Sequence, residues 1–370
     1  MNHTAAPDTI PRLRTPDDTL SWLPTTIDRR VRVFAWLSFV AEVLIIGTGG
    51  AVRLTGSGLG CSEWPLCTPE SLVPILEVQG LHGAIEFGNR VMTGVVGLLA
   101  LAVLMLTLHI ISGRRLVVRA VWFALGGIVA GVAVYLAASA LDLPSAALMS
   151  AVLLLAVLAG ATDSLRQTTE RRDLAVLAWI VLVGVMAQAV VGGFAVISSL
   201  NPFIVGFHYT ASLMLVCITA LFLVRLGAQP GPRVAAVPPW FTITTHITGL
   251  ALALTIVFGV LTTGSGPHSG DANIERQGFD ASVLAHVHSW PGYVLAALVL
   301  LLAVSAWVLK LPPRNWALVL IVAIVVQVGV GVLQARTGLP PLLIGIHMVL
   351  ASLSAAAYTV MVTTLKKPAA

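Results

Sequence analysis

Histidine is the residue type in this chain best suited to hold a metal, and five of the nine histidines cluster near the outer, non-cytoplasmic ends of predicted helices. These five are His82, His208, His286, His288 and His347. His288 and His347 belong to two helices that begin at the same face, so their imidazoles can lie at matching depth. Two imidazoles from facing helices of a bundle can be the axial ligands of a haem iron. His286 stays an alternative to His288, since residues two apart on a helix point in different directions.

His208 has a different predicted partner. When the two halves of the chain are aligned, Asn89 corresponds to His288, and an amide is a poor haem ligand. One axial histidine opposite an open position suits a bound haem that reacts. His82 lies roughly 10 Å before Asn89 along the helix, so it is expected to be too far out to replace Asn89. Glu86 is one turn from Asn89 on the same face and is the candidate acid for moving a proton; an N-terminal helix acid favoured by the macrodipole is the alternative.

Four arginines fall on the predicted outer side, where basic residues are otherwise rare: Arg53, Arg90, Arg276 and Arg336. Each accompanies one of the histidine motifs or one of the two long outer loops. Because arginine binds carboxylates through paired hydrogen bonds, we predict that Arg53 and Arg90 bind the propionates of a haem in the first half. Arg336 is predicted to do the same in the second half. Arginines at the level of the lipid headgroups are the alternative.

Cysteine use agrees with an outward-facing first loop. Cys61 and Cys67 both lie in that loop, where an oxidising compartment lets a disulfide persist. Two free thiols are the alternative. Cys217 lies inside a span and is predicted to be a small packing residue.

The other polar residues in and near the spans fit no repeated pattern. Glu42 lies within a span with nothing clustered near it, and it is either a buried structural acid or part of a proton path. His109 and His246 lie at cytoplasmic ends of spans and are expected at the surface. His268 belongs to the second outer loop.

The composition requires that these residues be positioned by membrane helices. Hydrophobic residues make up 57% of the chain and charged residues 10%, with a mean hydropathy of +0.94, whereas soluble domains carry about 25% charged residues. A soluble, disordered, collagen-like or disulfide-dense protein is therefore excluded. A span needs roughly 20 apolar residues, which predicts an all-α polytopic membrane protein with about ten helices, near 33–53, 84–110, 117–138, 144–161, 174–198, 203–224, 241–263, 284–309, 316–334 and 342–365.

Basic residues orient these helices. Seventeen of the 21 lysines and arginines fall on one side of the predicted spans, and the positive-inside rule makes that side cytoplasmic. Both termini are then cytoplasmic, in a multi-pass protein of the cell membrane. The net charge of +5 thus reflects topology, and no nucleic-acid partner is expected; membrane lipids surround the chain.

The sequence contains an internal repeat. Thr55-Gly-Ser-Gly closes the first span and Thr263-Gly-Ser-Gly closes the seventh. A second element recurs as well, since Gln188 precedes His208 by 20 residues and Gln327 precedes His347 by 20 residues. These elements predict two tandem four-helix bundles of the same orientation.

The spacing also predicts an inserted helical hairpin. His288 to His347 is 59 residues, but Asn89 to His208 is 119, and the excess matches the spans at 117–138 and 144–161. The resulting division is a cytoplasmic tail at 1–32, a first half at 33–110 and 174–225, the hairpin at 111–173, a cytoplasmic linker at 226–240 and a second half at 241–370. The tail is expected to be disordered before a basic segment that precedes the first helix.

These motifs together resemble the haem A synthase family. The carrying segments are GGAVRLTGSGL at 49–59, Cys61 with WPLC at 64–67, IEFGNR at 85–90, GFH at 206–208, TGSGPH at 263–268 and GIH at 345–347. The likeness covers about 33–110 and 174–365, and the chain looks like an actinobacterial-type member with an extra two-helix insertion. Many members have histidine where this chain has Asn89, so the resemblance supports His208 better than a histidine pair in the first half.

The resemblance implies an oxidoreductase that oxidises a methyl group of haem O to the formyl group of haem A for the terminal oxidase. It implies a haem b cofactor (iron) held by His288 and His347, a substrate haem in the first half with Glu86 important for activity, and paired loop cysteines. Haem O synthase and an electron donor are the implied partners. A membrane dihaem electron-transfer protein is the alternative, and a transporter a weaker one.

Overall fold

The structure is a computed structural model that describes residues 20–268, 270–271 and 280–369. The all-α prediction is confirmed. Within the described residues, ten helices are long and apolar enough to cross a membrane, as the lengths of the apolar runs predicted.

Most helices begin and end within a few residues of the predicted bounds. They are α1 Arg29–Leu54, α2 Leu76–Ser112, α3 Arg114–Ala140, α4 Ser145–Gln167, α5 Arg172–Ile197, α6 Pro202–Leu226, α7 Pro239–Ser265, α8 Ala281–Val308, α9 Arg314–Arg336 and α10 Pro341–Thr363. Two short strands, β1 Arg233–Ala235 and β2 Lys366–Pro368, pair antiparallel. The α6–α7 linker and the segment after α10 therefore lie at the same end of the bundle, as an even number of intervening spans requires.

Helix α2 is longer than the sequence predicted. It begins at Leu76 rather than near residue 84, with non-helical dihedrals at Gly80 (φ 57°) inside it. Glycine tolerates this left-handed backbone, so a short helical turn precedes the kink before the main helix runs through the membrane. His82 consequently lies at the start of that main helix.

Caps fix the outer ends of two helices that carry site residues. The Asn201 side chain accepts a hydrogen bond from the Phe203 N–H, with Pro202 at the first helical position of α6. The Asp280 carboxylate accepts hydrogen bonds from the Ser282 and Val283 N–H groups at the start of α8. Both patterns satisfy N–H groups that a helix start leaves unpaired.

The chain divides into two compact units, and the first consists of Met1–Leu37 with Leu99–Val183. Helices α3 and α4 pack together in it, with Gly127 against Ala156 and the Arg119 guanidinium on the Asp163 carboxylate at 2.6 Å. The assignment of 111–173 as an insertion stays a prediction.

His109 in this unit is buried, and the prediction that it lies at the surface was wrong. It is 0% exposed; its Nε2 accepts the Leu20 N–H at 2.9 Å, and its Nδ1 is 2.9 Å from the Pro24 carbonyl. The segment before α1 folds over the end of α2, so residues 20–28 have defined positions. Residues 1–19, which the tail prediction also covers, lie outside the described part of the chain.

The second unit consists of Ser38–Leu98 with Gly184–Ala370. Its larger core joins α7, α8, α9 and α10 around Phe241, Leu302, Leu320 and Met361. A smaller core of Ile46, Val216, Ala220, Ala356 and Val360 joins α1, α6 and α10. All the candidate site residues lie in this unit.

Candidate haem-binding sites

His288 and His347 face each other across the second half. Their ring centroids are 6.2 Å apart, and the ring planes cross at 80°. His286 is exposed, and its Nδ1 lies 2.8 Å from the carbonyl of Ser282 one turn earlier. The geometry thus favours His288 over His286 as the partner of His347.

A backbone carbonyl holds the His288 ring in place. The His288 Nδ1 lies 2.9 Å from the Thr255 carbonyl; that carbonyl can only accept, so Nδ1 carries the proton and Nε2 is free to bind a metal. The Gln327 amide donates to the backbone carbonyl of His347 at 3.0 Å.

Glycines make room for the two rings. A Cβ at Gly259 would lie 2.9 Å from the His288 Cε1, and a Cβ at Gly331 would lie 3.1 Å from the His347 Cε1. Side chains at these positions would crowd the rings. Glycine therefore allows the helix backbone to lie this close to each imidazole.

This pair has the composition and spacing of an axial ligand pair. Among the described residues, no three His, Cys, Asp or Glu side chains gather around one point as a bare metal ion requires. Two histidines suffice only where a macrocycle supplies the other ligands. With an iron between the rings, each metal–nitrogen bond is about 2 Å, and each ring nitrogen lies about 1 Å from its ring centroid, so the two centroids would be roughly 6 Å apart. The distance between the His288 and His347 ring centroids matches this value. The residues present therefore fit a haem.

A cavity of about 330 Å³ opens in the first half, between α1, α2, α5 and α6. Its size is at the lower end of ordinary small-molecule sites, roughly 300–1,000 Å³. Its walls are mostly apolar, with these polar side chains: Glu42, Arg53, Glu86, Asn89, Arg90, Thr93, Gln188, His208, Tyr209 and Ser212. Every first-half residue predicted to contact a haem is among them.

His208 lies on the cavity wall without a histidine opposite. A Cβ at Gly192, four residues after Gln188, would lie 3.5 Å from the His208 Cε1. Gly331, four residues after Gln327, lies in the same way beside the His347 ring. The buried His208 Nδ1 has no hydrogen-bond partner among the described residues. Asn89, at the position that corresponds to His288, accepts a hydrogen bond from the Thr48 hydroxyl at 2.7 Å.

Glu86 is buried, and each of its two carboxylate oxygens accepts a hydrogen bond. Its Oε2 accepts the Cys61 N–H at 2.6 Å, and its Oε1 accepts from Arg90 at 2.5 Å. The Arg90 guanidinium also donates to the carbonyls of Glu63 and Leu66, at 3.0 and 2.8 Å. Arg90 thereby ties the first outer loop to α2, a use of its donors that the propionate prediction did not include.

The Arg53 guanidinium also donates hydrogen bonds to backbone carbonyls. It donates to the carbonyls of Thr263 and His268, at 2.8 and 2.9 Å, and the Gly58 N–H bonds the Gly270 carbonyl at 2.8 Å. The two TGSG elements thus bring the two outer loops together above the cavity. Arg336 is exposed in the last turn of α9, and Arg276 lies outside the described residues.

The first outer loop covers the cavity and is closed by a disulfide. Cys61 and Cys67 are bonded, with their Cα atoms 4.4 Å apart, which confirms the predicted pairing. Trp64, between them, lines the cavity and packs on Gly193, where any side chain would collide with the indole ring. His82 instead bonds the Ser57 hydroxyl at 2.9 Å, so it anchors this loop.

Glu42 is the site residue whose surroundings the sequence did not reveal. It is 2% exposed and lines the same cavity. The cavity wall also includes residues of α5 and α6, which are far away in sequence. Gln188, also on the wall, was visible beforehand only as one member of the repeated glutamine pair.

The fold and the two sites define a polytopic α-helical membrane protein with one facing histidine pair and one cavity that contains a single facing histidine. No family model matches the chain. The chain is similar to the Heme A synthase of Exiguobacterium sibiricum (strain 255-15), at 34% identity over 89 residues, which are 24% of this chain and 29% of that protein. It is also similar to the Heme A synthase of Geobacillus thermodenitrificans, at 29% identity over 75 residues, 20% of this chain and 22% of that protein. The matched segments span less than a third of either relative.

Proposed function

We propose that this protein is a haem A synthase, which oxidises a methyl group of haem O to the formyl group of haem A. The proposal is based on a difference between the two repeated histidines, His347 and His208, in the residue that each one faces or accompanies. His347 faces His288, whereas His208 shares a cavity with Asn89 and two carboxyl groups. One site is built to hold a haem between two ligands, and the other leaves one face of a haem free for chemistry. The similarity to two Heme A synthases agrees with this division.

In the second half, His288 and His347 would hold a haem b through their Nε2 atoms. Such a haem supplies one-electron transfer when bound. The Thr255 carbonyl keeps the proton on Nδ1 of His288, and Gln327 orients the His347 backbone. The contact with Thr255 thus orients the His288 ring before the cofactor enters.

In the first half, His208 would bind the iron of haem O, and Glu86 would take up or hold a proton near the methyl group that is oxidised. Cys61 and Arg90 fix both carboxylate oxygens of Glu86 in position. The loop of Trp64 covers the cavity and limits the access of water from the outer side. Arg53 and Arg90 form the cationic rim toward which haem propionates would point.

For the topology, we place both termini on the cytoplasmic side of the cell membrane. The distribution of lysine and arginine supports this orientation. The pairing of β1 with β2 is consistent with a shared side for the α6–α7 linker and the C-terminal segment. Haem O synthase and an electron donor are proposed partners.

Membranes that contain this protein and a supply of haem O are expected to accumulate haem A. The measurement is pigment extraction followed by chromatography and mass spectrometry, which detects the exchange of a methyl for a formyl group. His208→Ala should form no haem A but should keep the haem of the second half. A protein that carries haem but makes no haem A would instead be an electron carrier, and one that binds no haem would refute both haem sites.

Asn89→His is expected to convert the first site into a second histidine pair. The repeat aligns Asn89 with His288, and Gly49 beside it leaves space, since a Cβ there would be 3.9 Å from the Asn89 Oδ1. With haem O bound, the variant should show a low-spin, six-coordinate iron by electron paramagnetic resonance, as expected for a histidine pair. Thr48→Val, which removes only the hydrogen bond to Asn89, is the control. An unchanged spin state in Asn89→His would place Asn89 away from the iron.

A further inference from the structure

Glu42 is a buried carboxyl group that the proposed chemistry does not use. It lies on α1, is 2% exposed and lines the first-half cavity. Its Oε1 is buried without a hydrogen-bond partner among the described residues. An unpaired polar atom in an apolar bundle is costly, so this carboxyl group lacks a polar partner that a ligand in the cavity can supply.

The cavity has two chemically different ends. Arg53 and Glu86 lie at the outer end, and Glu42 is eleven residues before Arg53, roughly 16 Å further into the membrane. Val96 on α2 is correspondingly ten residues inward from Glu86. Glu42 therefore lies at the inner end, among cavity-lining apolar side chains that include Val96, Val185 and Leu215.

The second half has no equivalent carboxyl group. When the TGSG elements are aligned, Thr55 with Thr263, the counterpart of Glu42 is Leu250, which is exposed on α7. The two halves share histidine, glutamine and glycine positions but differ here. We therefore expect Glu42 to have a role in the first half that has no equivalent in the second half.

On the basis of the proposed function, we propose that Glu42 binds the hydroxyl group on the isoprenoid-bearing side chain of the substrate haem and so selects haem O over haems that lack this group. A haem has its propionates on one edge and alkyl side chains on the opposite edge. The propionates are drawn to the arginines at the outer end, whereas the apolar inner end is unfavourable for their charges. The alkyl edge then faces Glu42, and a hydroxyl group, which both donates and accepts, satisfies Oε1.

The test is a cycle of two proteins and two ligands. Full-length wild type and Glu42→Met, in detergent, are titrated with haem O and with haem O acetylated at the side-chain hydroxyl, and binding is followed by the shift of the haem absorbance. Methionine keeps the length and the apolar fit but removes both oxygens. Because each ligand meets both proteins, the added bulk of the acetyl group cancels.

Acetylation is expected to weaken binding to wild type roughly tenfold more than binding to Glu42→Met, as expected for one hydrogen bond. Ser38→Ala, a buried position one turn further in on α1 that does not line the cavity, should respond like wild type. Glu42→Gln should also keep the preference, since an amide donates and accepts. If Glu42→Met does not fold, Glu42→Leu, which also lacks both oxygens, takes its place in the cycle.

Equal affinity of wild type for both ligands, or an equal response of wild type and Glu42→Met, would overturn the role of Glu42 and leave the proposed function intact. Failure of wild type to bind haem O at all would refute the proposed function itself.

Discussion

Purified His347→Ala protein is expected to lack the reduced-minus-oxidised absorbance band of a haem held between two histidines, and His288→Ala is expected to lack it too. In the native pair the two ring centroids are 6.2 Å apart. Each variant removes one of the two rings and leaves a single imidazole to bind the iron. Loss of a residue that only supports a metal ligand already costs about 10–100-fold in affinity. Loss of a ligand itself should therefore lower haem affinity more than about 100-fold, and the haem should not survive purification.

His286→Ala is the matched control for this experiment. The two histidines are two residues apart on α8, but His286 is exposed and bonds the Ser282 carbonyl of its own helix. This variant should retain the band and its intensity. A band lost in His286→Ala and kept in His288→Ala would reverse the assignment. Retention of the band in His347→Ala would remove the second-half site altogether.

The sequence was sufficient to predict the helices because their signal is local. Runs of apolar residues of membrane-crossing length, ended by Asn201-Pro202 or Pro340-Pro341, need no long-range information. The start of α2 was missed because the kink at Gly80 depends on how the preceding loop is anchored. The same loop explains His82, whose partner Ser57 lies 25 positions earlier.

The sites were predictable to the extent that the repeat reports on them. Alignment of the halves brought His288, His347, His208 and Asn89 together as corresponding positions. It carried no information on residues without a counterpart, and Glu42 is such a residue. The charge pattern also identified Arg53 and Arg90 as unusual. Besides the ion pair of Arg90 with Glu86, both side chains donate to backbone carbonyls of folded loops, which no residue pattern specifies.

The disulfide and the glycines are visible in the sequence, but their roles depend on contacts made only in the folded chain. Cys61 and Cys67 could be paired from their spacing and side of the membrane, and the bond is present. The loop that it closes places the Cys61 N–H on Glu86 and Trp64 on Gly193. The doubled glycine at 192–193 thus meets two separate needs, since Gly192 faces His208 and Gly193 faces the loop.

Glu86→Gln is expected to lower the rate of haem A formation about 100-fold or more, within the range of general acid–base catalysis, with haem O affinity changed only a few-fold. Glutamine has the shape of glutamate, and its amide oxygen can still accept the Cys61 N–H that Glu86 holds at 2.6 Å. What it loses is the ability to accept a proton and the charge that faces Arg90. Single-turnover formation of haem A in protein saturated with haem O measures the rate apart from binding.

Arg90→Gln separates the chemical role of Glu86 from a purely structural one. It breaks the same ion pair and also removes the bonds to the carbonyls of Glu63 and Leu66, so the loop should loosen and haem O should bind more weakly. The carboxyl group of Glu86 remains, and at saturating haem O the rate should fall much less than in Glu86→Gln. If both variants lose the rate equally, or if Glu86→Gln loses only affinity, Glu86 holds the loop and the proton is moved by another group. Glu42, the other carboxyl group on the wall of this cavity, would then be the one to test.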